Sequence, residues 1–209
     1  MNIISNDCTG GFIYRDIIKE EYANPFIFSK VLLDDFIYLA SNYQSINFRK
    51  FGLLQSAEWQ FYIRVNDKIN IQYNHYKFDP TVNGIRKDPP NVYSSHIWEY
   101  IVGRYITRVH RMNEPPIFVG HYDYGQLGEW DPTLTIEKLN SFIHDLQVRN
   151  QLALIVSELP IDLDDTDSVK ILRFKRVKID DEHYEPVIDL LSDKIHHSLA
   201  ILSKRLKNE

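Results

Sequence analysis

Residues 117–159 read IFVGHYDYGQLGEWDPTLTIEKLNSFIHDLQVRNQLALIVSEL. The two ends, IFVG and LALIV, are short and almost continuously apolar, as strands covered on both faces are. Between them Ile136, Leu139, Phe142, Ile143 and Leu146 recur at steps of three and four, which predicts an amphipathic helix. A strand, a helix and a strand in that order form a right-handed crossover, so the two strands are expected parallel in one sheet.

The flanking segments extend this pattern. NIIS (2–5) reads as a buried strand, NDCTGG (6–11) as its loop, and FIYRDIIKEE (12–21) as a helix entered through the glycines. FSKVLLDDFIYLASNY (28–43) predicts a second helix, with Phe28, Leu32, Phe36, Leu39 and Tyr43 on one face. SSHIWEYIVGRYITRVHRMN (94–113) predicts another, stopped by Pro115 and Pro116. VKILRFKRVKI (169–179) reads as a further strand, and residues 184–208 as a long terminal helix with Pro186 near its start. The middle breaks the alternation. FRKFGLLQ, WQFYIRV and KINIQYNHY have the compact or alternating apolar pattern of strands. Asn66-Asp67-Lys68 between the last two predicts an antiparallel hairpin, expected as an edge or flap, before the Pro-rich loop of residues 77–91. The expectation is a single α/β domain over residues 1–209: a mainly parallel, Rossmann-like three-layer sandwich with an antiparallel hairpin insertion.

Composition narrows the function classes. The chain has 209 residues, 44% hydrophobic and 25% charged, with a net charge of -5. No global basic field draws it to nucleic acid. No apolar run is long enough for a transmembrane segment. Thirteen Tyr and eleven Phe suit a well-packed core, and those left on the surface suit flat polar ligands such as sugars. A single cysteine excludes an intramolecular disulfide, and with no secretory signal pattern it predicts a cytoplasmic protein.

In open α/β sheets ligands bind beyond the carboxyl ends of the strands. Asn6, Asp7 and Cys8 follow the first strand; His121, Tyr122 and Asp123 follow IFVG; Ser157 and Glu158 follow LALIV. If these strands are parallel neighbours, the three polar sets share one rim. Cys8 would then lie near a helix N-terminus, with His121 as its base and Asp123 or Glu158 orienting that histidine. Asp7 beside Cys8 opposes thiolate formation. Gly10 and Gly11 allow inward-turned amides that suit a phosphate, or simply close packing. His75 ends the hairpin before the long loop, either in a site or exposed. Arg104, Arg108 and Arg111 share a helix face, as a solvated stripe or an anion clamp. No histidine pair has metal-ligand spacing with a carboxylate, although Asp7, His121 and Asp123 could be assembled into a site in three dimensions; no metal and no cofactor is expected.

The stretch IISNDCTGGFIYRD (3–16) resembles the opening I-I-S-N-x-C-x-G-G-x-I-Y-x-D of a bacterial family of unassigned activity, whose members are often labelled exopolysaccharide-biosynthesis proteins. NHYK (74–77) is similar to that family's H-Y-K strand end, and RVHRMN (108–113) to its R-x-x-R-[IM]-N helix end. Thr9 stands where the family often has an aromatic residue. The resemblance implies an α/β fold and an association with surface-polysaccharide assembly, but no reaction. It implies Asn6, Cys8, Gly10, Gly11, His75 and Arg111 as candidate site residues. The expected function is glycosyl or acyl transfer on an activated sugar or glycan intermediate, with other polysaccharide-assembly proteins as partners. The alternatives are a non-catalytic module binding a glycan or nucleotide-sugar, and a cysteine hydrolase.

Overall fold

The computed structural model describes residues 1–19, 24–26, 29–55, 61–72, 102–103, 105–128, 130–176 and 187–207. Four strands, β1 (Asn2–Ser5), β5 (Pro116–Tyr122), β6 (Ala153–Ser157) and β7 (Val169–Arg173), form a parallel sheet in the order β1-β5-β6-β7. Three further strands, β2 (Phe51–Gln55), β3 (Phe61–Val65) and β4 (Ile69–Gln72), form a separate antiparallel sheet. The chain is therefore α/β and mainly parallel, and the inserted strands are a sheet of their own rather than an edge of the first. The β3–β4 turn falls where expected. Asn66 and Asp67 have φ of 53° and 58°, and the Lys68 amide donates to the Val65 carbonyl at 3.0 Å. Positive φ at both central residues gives the primed twist that matches flanking strands.

Alternation along the parallel strands sends side chains to two cores. Ile3, Ile117, Val119, Leu154 and Val156 face one side, where they meet Leu191, Ile195, Leu199 and Leu202 of the terminal helix. Ile4, Phe118, Tyr122, Ala153 and Ile155 face the other. There they pack on Phe36 and Leu39 of α2 (Leu33–Asn42), on Leu139 and Phe142 of α3 (Ile136–Val148), and against the second sheet. The terminal helix is α4 (Val187–Leu206). Three layers result because every central strand is apolar on both faces. Thr135 caps α3, its hydroxyl accepting from the Lys138 amide at 3.2 Å.

Local boundaries differ from expectation in several places. The second helix, expected from residue 28, starts at Leu33, after Lys30 has paired with Gln72 as an isolated β-bridge. The first helix starts earlier, as α1 (Thr9–Phe12), and widens into a π-helix at Ile13–Ile18 that ends at Lys19 with φ 57°. The Tyr14 hydroxyl, on this segment, accepts from the Ile3 amide at 2.8 Å and donates to the Met1 carbonyl at 2.5 Å. With Asn24 donating to the Ile3 carbonyl, the open edge of β1 is covered by side chains. Strand β7 ends at Arg173 rather than Ile179, so Phe174 and Arg176 belong to the rim. Among the described residues, no helix is long and apolar enough to cross a membrane.

Candidate functional site

The parallel registers run Ser5 beside Val119 and Tyr122 beside Ser157, so the ends of β1, β5 and β6 do lie along one rim. Asn6 closes the β1–β5 ladder. Its amide donates to the Val119 carbonyl at 3.2 Å. Its side chain then extends the pairing: Nδ2 donates to the His121 carbonyl at 3.0 Å and Oδ1 accepts from the His121 amide at 2.9 Å. The main chain of His121 is thereby fixed from two sides.

The next residue positions the ring. Asp7 Oδ2 lies 2.6 Å from His121 Nδ1, and Asp7 Oδ1 accepts from the Thr9 amide at 2.8 Å. The imidazole stacks on Phe174, with ring centroids 5.8 Å apart and planes 27° apart. Its other nitrogen, Nε2, is buried and has no hydrogen-bond partner among the described residues. Asp123 Oδ2 is 3.8 Å away from it. Asp123 also pairs with Arg176, whose Nε lies 3.3 Å from Glu158 Oε2. Glu158 is anchored in turn, its amide donating to the Tyr122 carbonyl at 2.9 Å. The rim thus carries a chain of alternating charge: Asp7, His121, Asp123, Arg176, Glu158.

Electrostatics follow from this order. Burial presses the His121 pKa down, but Asp7, by charge and hydrogen bond, and Asp123 outweigh it, so the imidazole stays protonated to a higher pH than usual. Burial raises the Asp7 carboxyl, and His121 and the Thr9 amide more than offset that, leaving it below the ordinary range. Cys8 is the opposite case. Burial and then the Asp7 charge push its thiol up to about 12, so it is a protonated thiol at neutral pH.

The loop amides are engaged internally. Gly10 donates to Ser5 Oγ at 3.2 Å and Gly11 to the Cys8 carbonyl at 2.9 Å. A Cβ at Gly10 would stand 2.6 Å from Ser5 Cβ, so the residue lets α1 lie against the end of β1. The phosphate-cradle arrangement of these amides is absent here, and close packing describes Gly10. Arg111 sits in a 3-10 turn (His110–Asn113) just before β5, at the amino end of the strand whose carboxyl end carries His121. His75 and Arg104 lie outside the described residues. Among the described residues, no three histidine, cysteine or acidic side chains converge as metal ligands.

The rim therefore brings together Asn6, Asp7, His121, Asp123 and Glu158 and separates Arg111 from them. Asp7, expected to oppose the thiolate and to contact a ligand or the loop backbone, is the carboxylate that orients His121, the role assigned in sequence to Asp123 or Glu158. Arg176 and Phe174 were missed. The signal was the apolar-basic run RFKRVKI, which reads as a continuing strand unless the end of β7 is known. A family described as "Domain of unknown function (DUF1919)" matches residues 1–83, the part of the chain that holds Asn6, Asp7 and Cys8 but not His121. No curated protein and no solved structure matches the chain.

Proposed function

We propose that the chain acts in cell-surface polysaccharide assembly, on an activated sugar or glycan intermediate, with His121 as the proton donor. The observation that carries the chemistry is the ring's asymmetry. Nδ1 is held by Asp7, while Nε2 has no hydrogen-bond partner among the described residues and, in the imidazolium form that Asp7 and Asp123 favour, carries a proton that no described acceptor takes. An imidazole oriented by one carboxylate and held protonated is suited to general acid catalysis. In a glycosyl transfer, Nε2 gives its proton to the departing oxygen as that oxygen's bond to the sugar carbon breaks. The acceptor hydroxyl then forms the new bond and returns a proton to the ring. The choice of sugar rests on the resemblance of the opening motif, and partners among polysaccharide-assembly proteins rest on the same ground.

The raised Cys8 thiol favours this reading over a cysteine hydrolase, which needs a thiolate. The test is a thermal-shift series with UDP-glucose, UDP-N-acetylglucosamine and UDP, coupled to a release assay for UDP, on wild type and H121Q. Stabilisation with UDP release lost in H121Q supports the proposal. Stabilisation without release in either protein means a binding module, and no stabilisation by any of the three removes the sugar-nucleotide reading.

A further inference from the structure

Oδ2 of Asp123 stands between two cations. Arg176 Nη2 pairs with it, and His121 Nε2 lies 3.8 Å away. The other oxygen, Oδ1, accepts from the Gln126 amide at 3.1 Å. Arg176 is anchored from its far side. Its Nε is 3.3 Å from Glu158 Oε2, and its own amide donates to Glu158 Oε1 at 3.4 Å. Both oxygens of Asp123 are therefore held, and neither by the imidazole.

An imidazolium N–H facing a carboxylate closes to about 2.7–2.9 Å when nothing prevents it. Here the gap is close to an ångström wider. Gly125 leaves the clamp undisturbed, since a Cβ there would stand 3.2 Å from Asp123 Oδ1 and 3.4 Å from Arg176 Nη2. Among the described residues, the charged groups that face the ring are Asp7, Asp123 and Arg176, and of these only Arg176 contacts the carboxylate on the Nε2 side.

We infer that Arg176 is a positioning residue of this centre: by taking Oδ2 of Asp123 it keeps that carboxylate off His121 Nε2 and leaves the Nε2–H for an oxygen of the ligand. A hydroxyl is the matching group. One hydroxyl oxygen reaches both atoms across 3.8 Å at hydrogen-bond lengths of about 2.8 Å, accepting from Nε2–H and donating to Oδ2. The functional meaning of the device rests on the proton-donor reading above; its geometry does not.

The experiment is solution NMR of the imidazole protons in the ligand-free full chain. In wild type, the Nε2–H of His121 exchanges with water faster than its Nδ1–H, which is bound to Asp7. In R176Q, Asp123 closes on Nε2; the Nε2–H resonance moves downfield and its exchange slows about tenfold, as for a donor that gains a charged acceptor. Adding D123N to R176Q restores fast exchange. R176K keeps the cation but loses the fork, and shifts the same signal in the same direction by less. An unchanged Nε2–H in folded R176Q overturns the inference, and so does a wild-type Nε2–H that is already as protected as Nδ1–H. Should R176Q not fold, R176K is read in its place, and the wild-type comparison needs no variant. Because no ligand enters the measurement, failure to bind sugar nucleotides would end the proposed function without touching this result.

Discussion

The side chain of Asn6 and the main chain of His121 form a closed pair, with bonds of 3.0 and 2.9 Å, just past the Ser5–Val119 end of the β1–β5 register. Asn6 is buried, so water does not replace what is lost if the amide is removed. N6A is expected to destabilise the protein by about 2–3 kcal/mol, the range for two lost bonds to buried main-chain groups. N6D keeps the acceptor but sets an oxygen against the His121 carbonyl, and is expected to lose at least as much. Urea unfolding measures both, and stability within error of wild type in N6A would remove the pairing role.

Asp7 and His121 set the pH dependence of stability. Asp7 has its folded pKa below the ordinary 3.8, so its contribution is present above that value and fades as pH falls through the folded pKa. His121 has its folded pKa above the ordinary 6.5, so its contribution is full below 6.5 and fades as pH rises through the folded pKa. Both operate between those two ordinary values, and wild-type stability is expected to decline on the alkaline side relative to H121Q. Parallel alkaline limbs in thermal melts of the two proteins would contradict the ion pair.

Cys8 is expected to resist alkylation. Its thiol, pushed up to about 12 by burial and Asp7, holds little thiolate at pH 8, whereas an ordinary exposed cysteine of pKa about 8.5 is substantially ionised there. The iodoacetamide rate plotted against pH reads this directly. D7N removes the second of the two causes and is expected to raise the rate. An inflection near pH 8.5 in wild type would revive the nucleophile.

Gly10 tests packing against propensity. Alanine is the better helix former by about 1 kcal/mol, yet its Cβ would meet Ser5 Cβ at 2.6 Å, a short side chain rooted in a buried strand. The clash dominates, and G10A is expected to lose about 1–3 kcal/mol. A gain in the urea midpoint would mean that α1 and β1 are not in contact.

Much of the frame was legible along the chain. The double-sided apolar runs of β1, β5 and β6 predict a parallel sheet, the three-four spacing from Ile136 to Leu146 predicts α3, and Asn66-Asp67 predicts the turn before β4. These signals are local, because a strand or helix declares which faces it buries through its own period. The boundaries at Lys19 and Arg173 were not legible. They depend on where Tyr14 reaches the edge of β1 and where Arg176 reaches the rim, which no window of neighbouring residues contains.

The sequence by itself determined the α/β layering and which residues follow each strand, since crossover connections make strands parallel; that Asp7, His121, Asp123 and Glu158 share one rim also needed β1, β5 and β6 to be neighbours. Only the tertiary structure decided their partners. That Asp7 rather than Asp123 orients His121, that Arg176 occupies Asp123, and that Cys8 remains a thiol all depend on distances of a few ångströms between segments far apart in the chain, or on how deeply each group is withdrawn from water. Charge interactions and desolvation act through space, and chain order does not encode them.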